Sequence, residues 1–85
     1  MILTQNNTIW TGLFEPSDSD DEVVREYCFD FYNSGDTLLG TSGWLLNADR
    51  SNSQSFSFNT SEKFYYAAYS IRTYSGYEQT KKEWT

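Results

Sequence analysis

The sequence predicts an all-β fold, a small antiparallel β-sandwich or barrel of about six strands with little or no helix. Three observations predict it. Apolar residues recur with a period of two through most of the chain, and turn residues break these runs at intervals of about 8–12 residues. No window shows the i, i+3, i+4, i+7 apolar stripe of a helix. The 85 residues make a single domain, 1–85, which buries only about 60–65% of its unfolded surface, so its core must be dense in large apolar groups. Aromatic residues, 19% of the chain as 3 Trp, 7 Tyr and 6 Phe, supply that density, since each buried ring removes about 150–250 Å² from water.

The first predicted strand spans 8–14. Pro16 and the low-complexity stretch 17–22 form the solvated crossing to the second, 23–33. There Val23, Tyr27, Phe29 and Phe31 fall on one side, with Glu26 and Asp30 on the other. Asn33-Ser34-Gly35-Asp36 reads as a tight turn, with Gly35 expected to take the positive φ. The third strand, 37–46, is interrupted by Gly40 and Gly43, which predicts a bulge or a split into two short pieces. A polar loop, 47–54, leads to the fourth strand, 55–59, where Phe56 and Phe58 alternate with Ser55, Ser57 and Asn59. After a turn at 60–63 comes the longest run, 64–74: Tyr65, Ala67, Tyr69 and Ile71 share one face, and Tyr66, Ala68, Ser70 and Arg72 the other. Tyr74-Ser75-Gly76-Tyr77 is the last turn, before a strand at 77–84.

Cys28, Trp44 and the run Tyr65-x-Ala67-x-Tyr69 resemble positions occupied in immunoglobulin-like and fibronectin-type sandwiches, a likeness of pattern over about half the chain. The chain departs from the immunoglobulin pattern in lacking a second cysteine. The resemblance implies a sandwich and no particular function, because such folds host many.

Charge is segregated. Eight carboxylates (Glu15, Asp18, Asp20, Asp21, Glu22, Glu26, Asp30 and Asp36) face Arg25 alone within 15–36, in a chain of net charge −6. A block of this kind sets up a field that a basic partner senses at long range. The chain has no histidine, which removes the commonest general base and zinc ligand and the Ser-His-Asp and Cys-His arrangements. Cys28, flanked by Glu26 and Asp30, reads as a small buried hydrophobe. The acidic run from Asp18 to Glu22 fails the helix-loop-helix calcium pattern, whose sixth position needs glycine and here is Val23. No catalytic residue, metal site or cofactor is therefore expected. Scattered bases and net negative charge disfavour direct nucleic-acid binding. Neither a membrane span nor a leader is read at the start, as expected of a soluble cytoplasmic protein, or of a secreted one if Met1 replaces a removed signal peptide.

The expectation is a non-enzymatic acidic module that caps a basic surface of a partner protein. An inhibitor mimicking nucleic-acid charge, of the sort a phage or mobile element encodes, is one such protein. Its partner-binding residues are Asp18, Asp20, Asp21, Glu22, Glu26 and Asp30, with Tyr27 or Tyr32 as anchors. One alternative is a lectin-like sandwich that stacks sugars on Trp10, Trp44, Tyr66, Tyr74, Tyr77 and Trp84. Another is a structural or assembly subunit that associates through uncapped strand edges.

Overall fold

The computed structural model describes residues 1–16, 23–60 and 64–85. They form β1 (Ile2–Asn6), β2 (Ile9–Leu13), β3 (Val24–Tyr32), β4 (Leu38–Thr41), β5 (Leu45–Leu46), β6 (Ser53–Ser57), β7 (Tyr66–Thr73) and β8 (Glu78–Trp84). A three-stranded sheet has the order β1-β2-β6, and a five-stranded sheet the order β4-β3-β7-β8 with β5 also paired to β3. Every pairing is antiparallel. The expected all-β, sandwich-like fold is present, and no helix occurs among the described residues.

Eight strands replace the six expected, for two local reasons. The third predicted strand divides into β4 and β5 at Gly43, which takes φ 67°, while Gly40 stays within β4. The strand β1 was not anticipated: only Leu3 of Ile2–Asn6 is buried, so its pattern carries no alternation. It pairs with β2 through a two-residue turn at Asn7 and Thr8, where Asn7 takes φ 59°, a conformation asparagine tolerates. Two further details differ. A register shift between Val24 and Glu26 puts Val24, not Val23, into the core, because a bulge inverts the parity of whatever precedes it. In the 33–36 turn it is Asp36, not Gly35, that takes positive φ, at 62°; the Asn33 side-chain oxygen accepts from the backbone N–H of both Gly35 and Thr37.

The core is an aromatic layer between the sheets. Phe31 of β3 lies flat on Phe58, centroids 4.0 Å apart and planes 3° from parallel, and takes the edges of Trp10 and Phe64 at 6.1 and 5.8 Å. Phe29 packs against Tyr69 of β7 at 5.2 Å and Phe56 at 6.1 Å. Two glycines make room for these rings. A Cβ on Gly12 would stand 2.5 Å from three atoms of the Tyr69 ring, and one on Gly40 would stand 2.5 Å from Phe58.

Tyr69 is fully buried and donates its hydroxyl to Gln54 Oε1; Gln54 Nε2 in turn donates to the Ser51 carbonyl at 2.6 Å. Burial, with a smaller contribution from Tyr27, pushes the Tyr69 phenol far above its ordinary value. A phenol held neutral by the fold adds stability that is complete below the unfolded tyrosine pKa of about 10 and is lost as pH rises beyond it. Urea midpoints are therefore expected to stay level up to about pH 10 and fall above it. The fall should be much shallower in Tyr69→Phe, and an equal slope in both proteins would contradict this role.

Candidate binding face

The inner face of the five-stranded sheet is covered by the β1-β2-β6 sheet, whereas its outer face carries no layer among the described residues. Period-two alternation sends Glu26, Cys28, Asp30 and Tyr32 of β3 to that outer face. The register aligns them in four rows: Glu26 with Arg72 and Glu78; Cys28 with Ser70 and Thr80; Asp30 with Ala68 and Lys82; Tyr32 with Tyr66 and Trp84. The first and last rows lie about 20 Å apart, six residues at about 3.4 Å each.

The first row is ionic and self-contained. Arg72 Nε stands 3.1 Å from Glu78 Oε1, Arg72 Nη1 3.8 Å and Arg25 Nη2 3.0 Å from Glu26 Oε1. The same Arg72 guanidinium lies 3.8 Å over the Trp44 ring. The two middle rows hold small groups apart from Asp30 and Lys82, which flank Ala68 in the third. Ser70 and Thr80 share a hydroxyl hydrogen bond of 2.9 Å, and the Cys28 thiol donates to Asp30 Oδ1 at 3.5 Å. Burial raises the Cys28 thiol above its ordinary value, and the Asp30 charge adds to this while hydrogen bonds from Thr41 and Ser42 oppose it. Little thiolate therefore exists at neutral pH, and Cys28 is a poor nucleophile.

The last row is a cross-strand stack over three strands. Tyr32 and Tyr66 rings lie 4.8 Å apart at 17°, and Tyr66 and Trp84 rings 5.3 Å apart at 32°. Tyr66 donates its hydroxyl to Asp36 Oδ1 at 2.9 Å, and Lys82 Nζ sits 5.4 Å from the Tyr66 ring. Burial first, then charge from Asp30 at Tyr32 and the hydrogen bond to Asp36 at Tyr66, raises both phenols. Trp84 is 55% exposed, and Tyr65, edge-on to Tyr66, is also exposed. Asp30 and Asp36 have no lysine or arginine within ion-pair distance among the described residues.

Of the expected partner-binding residues, Asp18, Asp20, Asp21 and Glu22 lie outside the described residues. Glu26 and Asp30 share the outer face, but Glu26 is already paired with Arg25 and Arg72, leaving Asp30 as the acid of β3 with no base beside it among the described residues. Tyr32 faces outward, whereas Tyr27 packs against the core. Asp36 and Tyr65 were not singled out by residue pattern. The signal for Asp36 was its place in a turn that brings it beside Tyr66.

The proposed sugar platform is not assembled. Trp10 is 1% exposed in the core and Tyr66 is buried in its stack. Trp44 and Tyr74 each have a guanidinium over the ring, from Arg72 at 3.8 Å and Arg50 at 4.7 Å. Among the described residues of this set, Tyr77 and Trp84 remain exposed without such a cap, and they lie at opposite ends of β8. The sandwich resemblance also fails in detail, since Trp44 is 38% exposed against Arg72 and Cys28 lies on the outer face, not between the sheets. No known protein family, curated protein or solved structure matches the chain.

Proposed function

We propose that this chain is a non-catalytic acidic binding module, which caps a basic surface of a partner protein with the outer face of its five-stranded sheet. The carrying observation is the Tyr32-Tyr66-Trp84 stack beside Asp30 and Asp36 on a face with no covering layer among the described residues. Rings supply residence time by burying area, and carboxylates supply steering and selection. The molecule's own chemistry supports arginine as the group received. Exposed Trp44 and Tyr74 are already capped by guanidinium groups, while Trp84 and Tyr65 carry none among the described residues. The acidic stretch 15–22 adds to the same attraction. An inhibitor that occupies the basic channel of a nucleic-acid-handling protein is the form of partner binding this chemistry suits best.

The test is a titration with a hexa-arginine peptide, read by tryptophan fluorescence. Trp10 is buried and Trp44 is covered by Arg72, so the response reports mainly Trp84. A saturable change is expected that weakens about tenfold between about 10 and 150 mM salt, as the Debye length shortens from about 30 to 8 Å. It should vanish in Trp84→Phe and with a hexa-glutamate peptide. A response indifferent to salt, or retained in Trp84→Phe, would remove the proposal.

A further inference from the structure

The four outer edges of the two sheets differ in how they are protected. The β8 edge carries Glu78, Lys81, Lys82 and Glu83, charges that discourage a further strand. The strand β1 lies against β8. The β4 and β5 edge is short and broken at Ser42-Gly43-Trp44. Among the described residues no such device protects β6. Residues 51–60 contain no charge, no proline and no glycine, and β6 pairs with β2 alone.

The direction of its backbone groups follows from the register. Phe58 N–H donates to the Thr8 carbonyl and Phe14 N–H to the Asn52 carbonyl, so pairs of that parity, including Trp10 with Phe56, face each other across the ladder. Ser53, Ser55 and Ser57 therefore turn their N–H and C=O groups away from β2. Ser51 Oγ satisfies both groups of Ser53, at 3.1 Å each. Those of Ser55 and Ser57 have no partner among the described residues. Beside this edge lies open space, a cleft of about 370 Å³ bounded by Ser55, Gln54, Tyr27, Leu46 and Asp49.

We propose that the β6 edge is a self-association site, where a second copy of this chain adds its own β6 antiparallel across a two-fold axis through Phe56. In that register Ser55 of each copy faces Ser57 of the other, the open N–H and C=O groups form four hydrogen bonds, and the two Phe56 rings become neighbours on the inner face. The sheets join as β1-β2-β6 followed by the partner copy's strands in reverse. Charge argues for a second copy at this edge. Among the described residues, the outer face of the three-stranded sheet shows Ile2, Thr4, Asn6, Ile9, Thr11 and Leu13 beside the β6 serines, with no charge, and Asp49 is the one charge bounding the cleft, so two chains of net charge −6 meet here along a nearly uncharged side. Salt screens what repulsion remains and strengthens this contact, opposite in sign to its effect on a basic partner.

Sedimentation velocity over a concentration series, at about 10 and 150 mM salt, tests it together with amide exchange. The expected result is a monomer–dimer equilibrium that tightens with salt, with Ser55 and Ser57 amides exchanging more slowly as concentration rises. Ser57→Pro removes an N–H that the β2 ladder does not use and places a ring against the incoming strand. It should weaken dimerisation at least about tenfold, a loss of about 1.4 kcal/mol. If that variant misfolds, amide exchange of the unaltered chain decides. A monomer at all concentrations and both salts, a dimer whose Ser55 and Ser57 amides stay unprotected, or protection that appears only on adding hexa-arginine peptide would each overturn the proposal.

Discussion

Replacing Phe31 with alanine is expected to lower the melting temperature by at least about 12 °C. The ring is fully buried, stacked on Phe58 at 4.0 Å and met edge-on by Trp10 and Phe64, so its removal leaves a cavity at the centre of the aromatic layer. Phe→Ala changes at such sites cost about 3–5 kcal/mol. A domain of this size has about 4–13 kcal/mol to lose, at roughly 0.05–0.15 kcal/mol per residue, and each kcal/mol moves the midpoint by about 4–8 °C. Phe31→Leu, which keeps most of the volume, should lose much less. Differential scanning calorimetry of the three proteins checks the order, and a Phe31→Ala midpoint within a few degrees of the parent would show that the layer is not the core.

The second large effect runs the other way, through overpacking. Gly12→Ala is expected to destabilise by about 1–3 kcal/mol although it adds a single methyl group. That methyl would stand 2.5 Å from three atoms of the Tyr69 ring. The ring has little freedom to retreat, being fully buried and tied through its hydroxyl to Gln54 on the strand facing Gly12. Gly12→Ala combined with Tyr69→Leu should be less destabilised than the sum of the two single variants, because removing the ring removes the collision. Simple additivity in urea denaturation would contradict the contact.

Both residues show what the sequence could convey. Phe31 was legible because it belongs to an alternating run, and alternation fixes which side chains share a face. Gly12 was not, although an isolated glycine inside a strand is a recognised sign of close approach, because nothing local names the ring that approaches it. The same limit applied on the outer face. Tyr66, Ala68, Ser70 and Arg72 were grouped on one side from their spacing alone, and that grouping holds. Their neighbours across the sheet depend on register, which long-range pairing sets, so the stack of Tyr66 with Tyr32 and Trp84 and the pairing of Glu26 with Arg72 were invisible before folding. Charge was legible as a block, yet the ion pair at Glu26 shows that a run of acids in sequence does not display all of them equally in space.

The central claim is that the stacked-ring end of the outer face receives cationic side chains. The most direct measurement is the chemical-shift response of backbone amides to added hexa-arginine peptide. The largest changes are expected at Asp30, Tyr32, Tyr66, Ala68, Lys82 and Trp84, diminishing with salt, while β1 and β2 stay unperturbed. Changes spread evenly over both sheets, or confined to the β1-β2-β6 face, would contradict it.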